Sequence, residues 1–84
     1  MNDSLGDVRA VLADITAQIG SAYQHAGIAR ARLTDAVAVL TELGAQHSEP
    51  LVPSELRRAD VELERSLQLI SGGATAVADI DARL

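Results

Sequence analysis

The side chains best suited to chemistry in this chain are its two histidines, His25 and His47. They lack the i, i+4 spacing with which a helix presents two imidazoles to one metal ion. The chain has no cysteine, so thiolate ligands and thiol nucleophiles are absent as well. We therefore expect both histidines to be solvated or to lie at an interface, and we expect no metal site.

Carboxylates form the second group of candidates for chemistry. Asp60, Glu62 and Glu64 alternate along one segment, and Asp79 is followed by Asp81. Residues two apart on a helix point in different directions, so these acids predict a solvated face and not a paired general acid and base. Serine, histidine and aspartate occur without the framing of a nucleophile elbow. We expect a protein that is not an enzyme and that needs no cofactor.

A pair of glycines inside the segment SGGATAV raises a different question. Gly72 and Gly73 interrupt an otherwise helical pattern, as a phosphate loop, a hinge or a site of close helix approach would do. A phosphate loop requires a lysine between a strand and a helix, and this chain has no lysine. Close helix approach is the favoured interpretation. A hinge remains open, because Ser71 could cap a new helix.

Composition narrows the possible partners. With 84 residues and a net charge of −5, the chain forms one domain and lacks the basic patch of a nucleic-acid binder. An anionic membrane surface is disfavoured for the same reason. The N-terminus is acidic, whereas a signal peptide begins with basic residues, so we expect a cytoplasmic protein. Export without a cleaved signal is the alternative. The use of arginine without lysine is typical of a GC-rich genome.

A heptad pattern predicts a first helix over about residues 5 to 43. Ser4 or Asp3 is a plausible N-cap, and Gly44 is a plausible C-terminal stop. Apolar residues recur at two heptad positions, which we call the a row and the d row. The a row is Leu5, Leu12, Ile19, Ala26, Leu33 and Leu40, and the d row is Val8, Ile15, Ala22, Ala29, Ala36 and Leu43.

A loop and a second helix follow. Pro50 and Pro53 lie in a polar segment over about residues 44 to 53, which predicts the connection. Ser54 is the expected N-cap of a second helix over about residues 54 to 84. Its core rows are Leu56, Leu63, Ile70, Val77 and Leu84 at one position and Ala59, Ser66, Gly73 and Ile80 at the other. The fold class is therefore all-α, an antiparallel two-helix hairpin.

The register can be predicted from the pairing of large with small residues. When facing residue numbers add up to about 99, the two long rows interdigitate as dense packing requires. Gly72 and Gly73 then lie opposite Ala26 and Gly27, with Ala22 one turn away. We therefore expect close helix approach at this level. Arg32 and Glu62 are the expected ion pair across the hairpin.

A hairpin of two helices leaves apolar side chains uncovered. In this register the first helix overhangs the second, and other apolar residues flank the hairpin. Covering them on association would yield several kcal/mol at about 25 cal/mol per Å². We therefore expect a four-helix dimer of two copies, or a pair with a homologous chain. The expected interface consists of Leu5, Val8, Val11 and Leu12 on the overhang and Tyr23, Val37 and Leu67 on the flank.

A short, acidic, cysteine-free helical hairpin resembles the small WXG-type proteins of type VII secretion systems, which pair as four-helix bundles. That family carries a Trp-x-Gly turn between its helices and a Tyr-x-x-x-acid signal near the C-terminus. Here the turn is His47-Ser48-Glu49-Pro50, the chain has no tryptophan, and Tyr23 is followed four residues later by Gly27. The resemblance is one of architecture alone and carries over no functional residue.

These observations favour a non-enzymatic protein interaction module. The resemblance implies a first alternative, a small substrate or chaperone linked to type VII secretion. A ligand-binding helical bundle with a cavity at the level of the alanines and glycines is the second.

Overall fold

The computed structural model describes residues 4–84 and shows a helical hairpin. Helix α1 spans Leu5–Gly44 and helix α2 spans Ser54–Ala82. The two pack side by side in a rod of 69 × 16 × 15 Å. The predicted all-α hairpin is confirmed, and each helix bound lies within two residues of its predicted position.

A capping box begins α1. The Ser4 hydroxyl accepts a hydrogen bond from the Asp7 backbone N–H at 3.1 Å, and the Asp7 carboxylate accepts one from the Ser4 backbone N–H at 3.3 Å. These two bonds satisfy donors that a helix start otherwise leaves free, and Asp7 also complements the helix dipole. Ser4 is therefore the N-cap. Asp3, the other predicted candidate, lies outside the described residues.

Helix α2 begins differently from the prediction. Pro53 occupies the N-cap position and makes no side-chain cap, while Ser54 is the first helical residue. The Ser54 hydroxyl donates to the Glu55 carboxylate at 2.8 Å. The fixed φ of proline sets the entry into the helix, so a side-chain cap is not needed for the turn. The prediction of Ser54 as N-cap is wrong by one residue.

The glycine pair does not interrupt α2, which is helical throughout Ser54–Ala82. None of the described glycines has a positive φ. The hinge at Ser71 is therefore excluded, and both glycines sit in ordinary helical geometry.

The surface between the helices, which we call the seam, is only partly shielded from solvent. Along α1 the half-buried side chains include Leu12, Ile19, Leu33 and Leu40, as predicted for the a row. The d row is exposed throughout. The second seam position is supplied instead by the neighbouring e row, which is Arg9, Thr16, Tyr23, Arg30, Val37 and Gly44. Its half-buried members are Arg30, Val37 and Gly44. None of the described residues is fully buried.

The register also differs from the prediction, by about one heptad. Ion pairs join Arg9 with Asp81 and Arg30 with both Asp60 and Glu64, so facing residue numbers add up to between 90 and 94. The expected value was about 99. As a result α2 reaches Arg9, and the overhang of α1 is shorter than predicted. The expected ion pair of Arg32 with Glu62 is replaced by the pairs of Arg30.

The loop explains this register. Leu51 folds back over the end of α1, so that a Cβ added to Gly44 would lie 3.4 to 3.7 Å from Leu51 atoms. Val52 is half-buried beside it. These two apolar residues lie beside the last turn of α1. The predicted register had placed the start of α2 there. Gly44 is therefore in ordinary van der Waals contact with the loop.

Candidate functional site

The most prominent feature of the described surface is an apolar stripe along α1 that α2 does not cover. The d row alternates with a second row, the g row, which consists of Val11, Gln18, His25, Arg32 and Val39. The spacings between the two rows are three and four residues, so together they form a second heptad pattern. All members of both rows are exposed. We call these two rows the second heptad face. Its apolar residues are Val8, Val11, Ile15, Ala22, Ala29, Ala36, Val39 and Leu43, and its polar residues are Gln18, His25 and Arg32.

Exposed apolar residues of α2 border the same face. The e rows of both helices carry the ion pairs and therefore lie on one side of the seam. The d row of α1 and the g rows of both helices lie on the other side, because they are rotated the opposite way from the a row. On α2 the row of Ala59, Ser66 and Gly73 is half-buried, and only its last member, Ile80, is exposed. On α2 this side presents Leu69, Ala76 and Ile80, with Leu69 67% exposed.

The opposite side of the hairpin carries the ion pairs between the two helices. Arg30 Nε lies 3.1 Å from Asp60 Oδ1, and Arg30 Nη2 lies 3.3 Å from Glu64 Oε2. Arg9 Nε lies 3.9 Å from Asp81 Oδ1 near the open end of the hairpin. All five side chains are more than a third exposed. Such exposed pairs are worth at most about 1 kcal/mol each.

The predicted overhang residues fall into two groups. Leu5, Val8 and Val11 are exposed, at 47%, 37% and 57%. Val8 and Val11 also line a shallow depression on the second heptad face. Leu12 is half-buried, because α2 extends further toward the N-terminal end of α1 than predicted. The expectation that Leu12 lacks an intrachain partner is therefore wrong.

The predicted flank residues lie on the ion-pair side. Val37 and Leu67 are half-buried in the seam, and Tyr23 lines a groove beside it with Leu67 and Ser71. Val37 and Leu67 are shielded more than expected, because the hairpin is rotated so that the e row meets α2. Tyr23 keeps 46% of its surface exposed.

The expected close helix approach is not present within the chain. A Cβ built on Gly27, Gly72 or Gly73 meets no atom within 4 Å. Gly73 and Ala26 are half-buried, but in the observed register Gly73 is level with Ile19 and not with Ala26. The other alanine expected at this contact, Ala22, is exposed on the second heptad face. The close-approach prediction is therefore wrong for a single chain.

Chemistry-bearing side chains do not converge. Within residues 4–84 no group of three or more histidines and acids could hold a metal ion. His25 lies on the second heptad face, where its Nδ1 is 3.4 Å from the Ser21 hydroxyl. In the same part of the chain, neither helix has a stretch long and apolar enough to cross a membrane.

Comparisons of the chain with known protein families, curated proteins and solved structures gave no match. The site is therefore defined by its own geometry. Sequence reasoning treated the d row as the hairpin core and missed Ile15 and Leu43 as surface residues. The signal was present, because Val8 to Leu43 carries a second heptad beside the first.

Proposed function

We propose that this protein is a non-enzymatic helical interaction module that associates with itself, or with a homologous hairpin, to form a four-helix bundle. One observation carries the proposal. The chain is 48% hydrophobic, yet none of its described residues is fully buried. Conformational entropy opposes folding by about 1 to 2 kcal/mol for each ordered residue, and a half-exposed seam offsets little of that cost.

The exposed area supports the same conclusion. A compact monomer of this mass exposes about 4,800 Å², whereas the hairpin exposes 6312 Å². The excess is about 1,500 Å², and a standard protein interface buries about 800 Å² on each partner. One standard interface would therefore remove about half of this excess from each chain.

The position of the apolar residues supports a protein partner over a small ligand. The second heptad face is long, narrow and periodic, as helix-to-helix packing requires. The grooves beside the seam are open to solvent and polar on one side. A pocket for a small molecule would instead enclose most of its ligand.

Sedimentation equilibrium of the full chain tests the proposal. We expect a mass twice the 8.8 kDa of one chain at micromolar concentration. The midpoint of thermal unfolding should also rise with protein concentration, because association stabilises by mass action. A chain that sediments as a monomer, keeps its helical circular dichroism and unfolds at a concentration-independent temperature would contradict self-association.

A further inference from the structure

We propose that the second heptad face is covered by the same face of a second copy, antiparallel, with the twofold axis passing beside His25. This inference rests on the proposed self-association and adds its geometry. It assigns Ala22, His25 and Ala29 to the centre of the interface.

The first argument is the symmetry of the stripe. Its large residues lie at the two ends, with Val8 and Ile15 at one end and Val39 and Leu43 at the other. The middle holds alanines of the d row, with the polar residues Gln18, His25 and Arg32 of the g row beside them. An antiparallel twofold axis near residue 25 brings the two ends of one copy onto the opposite ends of the other. A twofold interface uses one patch twice, so the patch must be complementary to itself, and this stripe is.

The second argument is the area available. The excess exposure of each chain, about 1,500 Å², is more than the roughly 800 Å² that one side of a standard interface buries, so each chain has enough surface for one such interface. Exposed Ile15, Val39 and Leu43 would leave solvent together with their counterparts on the partner. A Cβ built on Gly73 of α2 meets no atom within 4 Å, so there is open space beside this residue. That space can accept side chains of a second helix.

Charge selects the antiparallel direction. Arg32 is the one cation of the stripe, and within the described residues it forms no ion pair. A parallel pair would place the two Arg32 guanidinium groups at the same level. In the antiparallel pair each Arg32 lies within about one turn of Asp14 of the other copy. Arg32 also lies one turn before Asp35 of its own helix, so it would sit between two carboxylates.

Spin labels test this direction, since the chain has no cysteine of its own. Ala10→Cys, Gln24→Cys and Ala38→Cys place one label each on the exposed side of α1 away from both faces. At 1.5 Å per residue, the axial separation between copies should be about 45 Å at position 10, a few Å at position 24 and about 40 Å at position 38. Pulsed electron paramagnetic resonance should thus give its shortest distance at the central label.

Three results of the label experiment would each refute a different part of the proposal. Equal distances at all three positions would show a parallel pair and refute the antiparallel inference alone. A shortest distance at position 10 or 38 would move the axis away from His25 and refute its placement. A dipolar signal missing at all positions, with a monomer in sedimentation, would refute the proposed self-association itself.

A matched pair of charge variants tests the face independently. Ala29→Glu adds a carboxylate at the proposed centre of the interface, and Ala31→Glu adds the same group on the outer side of α1. Both alanines are exposed, so neither change disturbs the seam. We expect Ala29→Glu to raise the dimer dissociation constant at least tenfold and Ala31→Glu to change it less than threefold. Equal effects, with unchanged helicity in both variants, would refute the second heptad face as the interface.

Discussion

Substituting a helical glycine by alanine tests whether the space around that position is open. A Cβ at Gly20 meets no atom within 4 Å, and Gly20 lies on the ion-pair side. Alanine is favoured over glycine inside a helix by about 0.8 to 1 kcal/mol. Gly20→Ala should therefore raise the free energy of unfolding by about 1 kcal/mol. For a chain of this size, that gain corresponds to a rise of about 4 to 8 °C in the unfolding midpoint.

Thermal circular dichroism at one fixed protein concentration measures the shift. Ala17→Gly, at an exposed site on the same helix, serves as the reverse control and should lower the midpoint by a similar amount. An unchanged or lower midpoint for Gly20→Ala, with the control behaving as expected, would mean that another chain fills the space at Gly20. That result would place the partner on the ion-pair side and refute the reasoning about the second heptad face.

Three further substitutions test the parts of the hairpin. In denaturant titration, Arg30→Ala should lower the free energy of unfolding by at most about 1 kcal/mol, and by less in high salt. Arg58→Ala breaks no described ion pair and should have no measurable effect. Val52→Ser should lower stability by about 1 kcal/mol because it exchanges a half-buried methyl pair for a hydroxyl, while His47→Ser in the exposed turn should not. Ser4→Ala should lower protection from hydrogen exchange in the first turn of α1 by about 1 kcal/mol, and unchanged protection there would show that the capping box does not form in solution.

Helix positions were predictable because local signals determine them. The heptad pattern of apolar residues covers both helices. The side chain of Ser4 caps the start of α1, and Pro50 and Pro53 end the helical pattern. These signals act within a few residues of each other. The a row was predictable for the same reason, since its leucines and isoleucines are the largest apolar residues of α1.

The face that meets α2 was not predictable from size and polarity alone. Both the d row and the e row flank the a row, and the middle of the d row is alanine, which contributes little area to either choice. The structure uses the e row, where Arg30 faces Asp60 and Glu64. Complementary charges alone do not decide the side either, because Arg32 and Glu62 predicted an ion pair on the g side.

The register depended on the loop, which sequence reasoning treated as a connector. Leu51 and Val52 are apolar and follow a proline, so they could be read as loop or as the start of packing. In the structure they cover Gly44 and the end of α1. Two small contacts at the turn therefore shift the whole of α2 by about one heptad.

The width of the apolar surface on α1 leads to a last physical argument. At about 100° per residue, the a, d, e and g rows together span about 160° of the helix circumference, whereas a helix with one neighbour needs about 100°. Helix α2 does not share this width, because its outer side carries residues such as Arg57, Arg58 and Glu62. A helix with two adjacent apolar faces packs best between two other helices. In the proposed dimer α1 would therefore be the central helix and α2 its cover, so substitutions in the d row should weaken association while leaving the hairpin seam intact.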